Sequence, residues 1–201
     1  PDLFATTPTE ILAGSAMNGF DKAIEALYAS TRTAVTDATA KRALELLADG
    51  LPDLRGDTDA ALERVVPGIV LAQYGASRPD GMTLSLLHAF GHGLTAGYPV
   101  QQGVAHAIAA PHVVRAVLDA DDTGLENLAE GLGVAEDAAS VVAEIRRVRD
   151  ALGLPSRLRD VDGPDREEFD EVAAATRDDP TPEGGPGGDD PPRLLYTTPS
   201  P

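Results

Sequence analysis

At 201 residues the chain suits one domain of good size, or one domain with tails. Its formal net charge of -17, from 33 acidic against 16 basic residues, repels nucleic-acid phosphate and anionic membranes, so neither is an expected partner. The absence of cysteine excludes a disulfide, a thiolate metal site and a cysteine nucleophile, and no run approaches the roughly 18 uninterrupted apolar residues of a membrane span.

Hydrophobic residues make up 42% of the chain, enough for a real core, and aromatics only 4%, so that core is aliphatic. Just two basic residues are lysines, Lys22 and Lys41. Strong acidity with little lysine resembles the surface of a protein from a high-salt cytoplasm, where ions screen self-repulsion. A halophilic source is therefore the expectation, with a GC-rich genome as the plainer alternative. No leader is visible, and the expected location is the cytoplasm.

Apolar spacing predicts a first helix over 9–28, with a break expected near Gly14 or Gly19. A second helix is expected to start at a Thr36–Asp37 cap and run to about Leu47, ended by Gly50 and Pro52. The third, 57–76, carries Pro67 as an expected kink and Leu62, Val65, Val66, Ile69, Val70 and Gln73 as its buried side. A Pro79–Asp80–Gly81 turn leads to helices over 83–96 and 102–118. Helices over 124–132, 135–152 and 164–176 follow.

No sustained period-2 run exists, so the expected fold is an all-α helical bundle over 1–176. From 177 to 201 the composition changes to seven Pro and four Gly with little to bury, and this acidic tail is expected to be disordered. Its GGPGG run lacks the strand and helix that a phosphate loop needs.

All four histidines, His88, His92, His106 and His112, lie between Ser85 and His112. His88 and His92 are four residues apart and share a helix face, as do Asn18 and Lys22 upstream. Two histidines fall short of the three or four ligands that zinc-type sites use. His112, after Pro111, is expected to hydrogen-bond nearby backbone. Arg146, Arg147 and Arg149 read as a helix face paired with Glu144 and Asp150.

Three segments, DLFATTPTEILAGSAMNGFDKAIEALYA, HAFGHGLTAGYPVQQGVAHAIAAPHVV and LGLPSRLRDV, resemble in order the C-terminal helical domain of the iron-containing (group III) alcohol dehydrogenases. The resemblance covers about 1–172 and implies the dehydroquinate synthase-like all-α fold. It also implies a nucleotide-binding α/β domain ahead of Pro1 and a divalent metal in the cleft between the two. In that family the ligands are an Asp and a His four residues apart, the first His of HxxxH, and a His fourteen residues further on. Carried onto this chain, those positions hold Asn18, Lys22, His88 and Gln102.

One ligand of four survives. Neutral amides bind iron or zinc poorly and an ammonium repels a dication, so no metal is expected. The maleylacetate reductases, a metal-free branch that looks to carry Asn at the first ligand position, are a partial precedent. The expectation is an NAD- or NADP-linked reductase of a small alcohol or carbonyl. Lys22 supplies the charge that polarises the carbonyl, and His92 relays a proton. Asn18, His88, Gln102 and His106 are placed to contact substrate, with a surface or satisfied-core role as the alternative for His106. The alternatives that stay open are a surface Lys22 paired with Asp21 or Glu25, a degenerate site in a non-catalytic assembly or binding domain, and a lyase of the dehydroquinate synthase type. A homodimer is compatible with the sequence and not required by it.

A chain that starts at Pro1 is expected to be processed or to be a piece of a longer protein. The intact mass of the native gene product should then lie near twice 20.8 kDa. A native mass of 20.8 kDa would leave no place for a nucleotide and would turn the reading to a helical binding module.

Overall fold

The computed structural model describes residues 2–78 and 81–179. The expected Pro79–Asp80 half-turn and the tail from 180, with its expected disorder and its GGPGG run, lie outside these residues. The described residues form eight α-helices joined by short turns and 3-10 segments, without a strand. The helices are α1 (Thr9–Tyr28), α2 (Ala34–Gly50), α3 (Thr58–Ala76), α4 (Leu86–Gly97), α5 (Gln102–Ala120), α6 (Leu125–Leu132), α7 (Ala138–Ala151) and α8 (Phe169–Arg177). The all-α expectation holds, and α8 reaches one residue past the expected edge of the domain.

Helix α1 is the central rod. Met17, Phe20, Ile24 and Leu27 on it are fully buried, and α2, α3 and α5 pack around it. The expected break at Gly14 or Gly19 does not occur: α1 runs unbroken, and both glycines serve as points of close approach. Helix α2 starts earlier than expected, because Thr33 rather than Thr36 is its cap. The Thr33 hydroxyl accepts from the Thr36 amide while the Thr36 hydroxyl accepts from the Thr33 amide. Asp57 and Asp137 cap α3 and α7 in the same N3 fashion.

Pro67 lies inside α3 without ending it. The buried side of that helix differs from the expected one. Val70 is 67% exposed and Gln73 is exposed, while Ala61, Gly68, Ala72 and Gly75 face inward with Leu62 and Val65. Small residues win because α3 lies close against α2 and α1; a β-carbon at Gly68 would stand 2.8 Å from Leu47 Cγ.

The tightest approach joins α1 to α5. A β-carbon on Gly103 would fall 1.7 Å from the Gly14 carbonyl oxygen, a backbone atom that cannot move aside. That contact sets α5 beside α1 and so places Gln102 and His106 over the polar side of α1. Gly103→Ala should therefore cost about 3 kcal/mol or more in urea-unfolding free energy, since overpacked sites relax only through backbone shifts. Near-wild-type stability would show that the helices can part without penalty.

Candidate active site

Asn18, Asp21, Lys22 and Glu25 fall at one-turn spacings along α1, so all four rise from one side of the helix. Opposite them stand His88 and His92 of α4, and Gln102 and His106 of α5. Sequence reasoning picks out six of these eight. It misses Asp21 and Glu25, which enter it only as alternative partners of a surface Lys22. The structure buries both completely, at 0% exposure.

Glu25 is the best-satisfied of the group. Its Oε1 accepts from the Leu87 amide at 2.8 Å, the His88 amide at 3.2 Å, the Ser85 hydroxyl at 3.0 Å and the Tyr28 hydroxyl at 3.4 Å. Its Oε2 meets His88 Nδ1. A carboxylate from α1 thus closes the first turn of α4, whose own cap residue Ser85 makes no capping bond to its helix. Burial opposes ionisation of Glu25, but the His88 imidazole, His106 and the Ser85 hydroxyl together outweigh it and hold the carboxyl below its usual range.

Asp21 has the opposite situation. Its Oδ2 stands 3.3 Å from His106 Nδ1, within ion-pair range, and among the described residues neither carboxyl oxygen has a hydrogen-bond partner. Burial pushes its pKa up, against the lowering effect of His106. The His106 ring, also 0% exposed, packs edge-on to His88 with centroids 4.4 Å apart. It fits only because Gly91 lacks a side chain; a β-carbon there would meet His106 Nε2 at 2.1 Å. His106, expected to contact substrate, is therefore sealed between α1 and α4 in this structure.

Lys22 pairs with neither Asp21 nor Glu25. Its ammonium, half-buried, donates to Gln73 Oε1 at 3.0 Å, and burial lowers its pKa. His92 is partly exposed, its ring 6.3 Å from that of His88, and its Nδ1 lies 2.8 Å from Asp179 Oδ2. Asn18 Nδ2 donates to Gln102 Oε1 at 3.1 Å. His112 makes none of the expected backbone bonds among the described residues. It borders an apolar groove with Arg146, and its pKa is lowered by partial burial and by the charges of Arg146 and Arg149. Arg147 and Arg149 pair with Glu144 and Asp150.

Asn18, Lys22, His88 and Gln102 do not fit a divalent ion. Two are amides bonded to each other, one is a cation, and only His88 Nε2 offers a basic nitrogen without a hydrogen-bond partner. Among the described residues no three His, Asp or Glu side chains converge to hold a metal.

In this helical bundle Asn18 and Lys22 come from one helix and an HxxxH pair from another. The match to known proteins makes this specific: the chain belongs to the iron-containing alcohol dehydrogenase family, whose C-terminal domain model matches residues 12–186. Lactaldehyde reductase of Escherichia coli K12 is 32% identical over 196 residues, 92% of this chain and 49% of that protein. The solved 1,3-propanediol oxidoreductase superposes with a TM-score of 0.84 at 26% identity, over 94% of this chain and 51% of its own. Maleylacetate reductase from Agrobacterium tumefaciens superposes with a TM-score of 0.72 at 27% identity, over 87% of this chain and 48% of its own. The chain thus spans about half the length of the relatives it matches. Among the described residues no helix is long and apolar enough to cross a membrane.

The two buried carboxylates should respond to neutralisation in opposite ways. Glu25 has a folded pKa below its ordinary 4.5, so its stabilisation is present above that pH and fades as pH falls through the folded value. Glu25→Gln should cost about 2 kcal/mol at pH 7, the scale of hydrogen bonds to a charged acceptor, and progressively less below pH 4.5. Asp21 has a folded pKa above 3.8, so its contribution is present below that pH and is lost as pH rises through the folded value. Asp21→Asn should be neutral or stabilising at pH 7, with its advantage growing as pH rises. Urea unfolding across pH decides both; equal losses from the two variants at neutral pH would refute the contrast.

Proposed function

We propose that the chain is the substrate-side domain of an NAD- or NADP-dependent oxidoreductase that interconverts a small alcohol and its carbonyl in the cytoplasm without a metal. The observation that carries the reading is Lys22. Its ammonium is half-buried and donates to the neutral Gln73 carbonyl, with no carboxylate in ion-pair range among the described residues. A positive charge left uncompensated at the edge of a polar recess suits an oxygen that becomes an alkoxide. The nicotinamide, carried by the nucleotide-binding domain that the family resemblance implies, supplies or takes up the hydride.

In this reading Lys22 stabilises the substrate oxygen. His92, at the rim and partly exposed, relays a proton between solvent and the site. Asn18, Gln102 and His88 orient the substrate, with the Asn18–Gln102 bond opening to admit it. Relatives named for lactaldehyde and 1,3-propanediol suggest the size of substrate to try first. That same amide–amide bond favours a second reading, a closed and non-catalytic site in a helical assembly or binding domain.

Lys22→Met in the complete enzyme should abolish turnover of lactaldehyde or 1,3-propanediol while leaving helicity and melting temperature near wild type. Retained turnover would remove Lys22 from the mechanism. Titration of Fe(II) or Zn(II) into the protein should reveal no site tighter than about micromolar, given the missing ligands; a stoichiometric tight site would end the metal-free reading.

A further inference from the structure

His88 differs from every other polar group in the recess in how completely its ring is immobilised. Glu25 Oε2 meets its Nδ1, the edge of His106 packs against it at a centroid distance of 4.4 Å, and its own backbone amide donates to Glu25 Oε1. The side chain is 1% exposed. One ring atom is left over: Nε2, itself buried and without a hydrogen-bond partner among the described residues. A carboxylate at Nδ1 accepts a proton from it and leaves Nε2 as the bare, basic nitrogen.

The carboxylate cannot swing away from this task. Glu25 Oε1 is committed to the Leu87 and His88 amides and the Ser85 hydroxyl, so Oε2 is the only oxygen available to the ring, and its direction is set by the first turn of α4. The same group that caps the helix selects the tautomer of the histidine on that helix.

We propose that His88 is the base that takes the substrate hydroxyl proton, and that Glu25 is its positioning residue. The proposal rests on the oxidoreductase reading above and changes the role of His88 within it, from orienting substrate to proton transfer. In the oxidation direction the hydroxyl proton passes to His88 Nε2 and the oxygen electron pair forms the carbonyl. The hydride leaves carbon for the oxidised nicotinamide, so the alcohol is oxidised by two electrons and the nicotinamide reduced by two. His88 then returns its proton outward by way of His92, whose ring centroid lies 6.3 Å from its own. Reduction runs the same path in reverse.

Glu25→Gln is a specific probe, because the amide can be seated in only one way. Its oxygen must stay where the Leu87 and His88 amides donate, so its nitrogen faces His88 Nδ1 and forces the ring proton onto Nε2. The complete enzyme, with 1,3-propanediol and NAD+ or NADP+ as probes, should lose about 100-fold in kcat, the scale of general-base catalysis, with KM within about threefold. Nitrogen-detected NMR of the histidine rings should show the His88 proton on Nδ1 in the wild type and on Nε2 in the variant. His88→Gln should lose kcat to a similar degree. A wild-type ring protonated at Nε2 overturns the proposal even if the variant fails to fold, as does a Glu25→Gln variant that changes KM and spares kcat. Wild-type protein that turns over no alcohol or carbonyl with either nucleotide overturns the oxidoreductase reading instead, and the ring tautomer still reports on the Glu25–His88 pair by itself.

Discussion

The buried carboxylate of Glu25 is the interaction on which the site depends. An ionised carboxylate taken out of water is costly unless donors replace the solvent it loses. Here the replacements are two backbone amides at the head of α4, two hydroxyls and an imidazole. Because the amides belong to the first turn of a helix, the same contact satisfies donors that α4 could not otherwise pair. Helices α1 and α4 are therefore joined through one residue whose removal would leave orphaned groups on both.

Asp21, one turn before Glu25, shows what the same chemistry looks like without those donors. It is equally buried, yet among the described residues its oxygens have no hydrogen bond, and the His106 imidazole stands within ion-pair range at 3.3 Å. Two carboxylates of one helix are driven apart in proton affinity by their surroundings alone, one down and one up. That divergence is a common mark of a site arranged for proton handling. Among the described residues it is reached with no three His, Asp or Glu side chains converging, in a family named for iron.

The geometry of the recess rests on small residues as much as on polar ones. Gly14 and Gly103 let α1 and α5 touch backbone to backbone, which brings Asn18 to Gln102 and Asp21 to His106. Gly91 leaves the space in α4 that the His106 ring fills. Each polar pair lies one or two turns from a glycine contact, so packing and site share the same register.

The all-α fold was legible in the sequence because apolar residues recur at helical spacing and no stretch alternates. The family was legible because three segments carry its residues in order. Asn18, Lys22, His88, His92 and Gln102 were singled out by their spacing and by that resemblance. What spacing could not reveal is which acidic residues of a chain with 33 of them are buried. Asp21 and Glu25 resemble the solvated carboxylates around them until α4 and α5 close over α1. The same limit explains Val70 and Gln73, assigned to a buried face of α3 that close packing gave to alanine and glycine instead. Local periodicity determines which residues share a helix face; only the contact between helices decides which face water leaves, and with it which charges must find a partner.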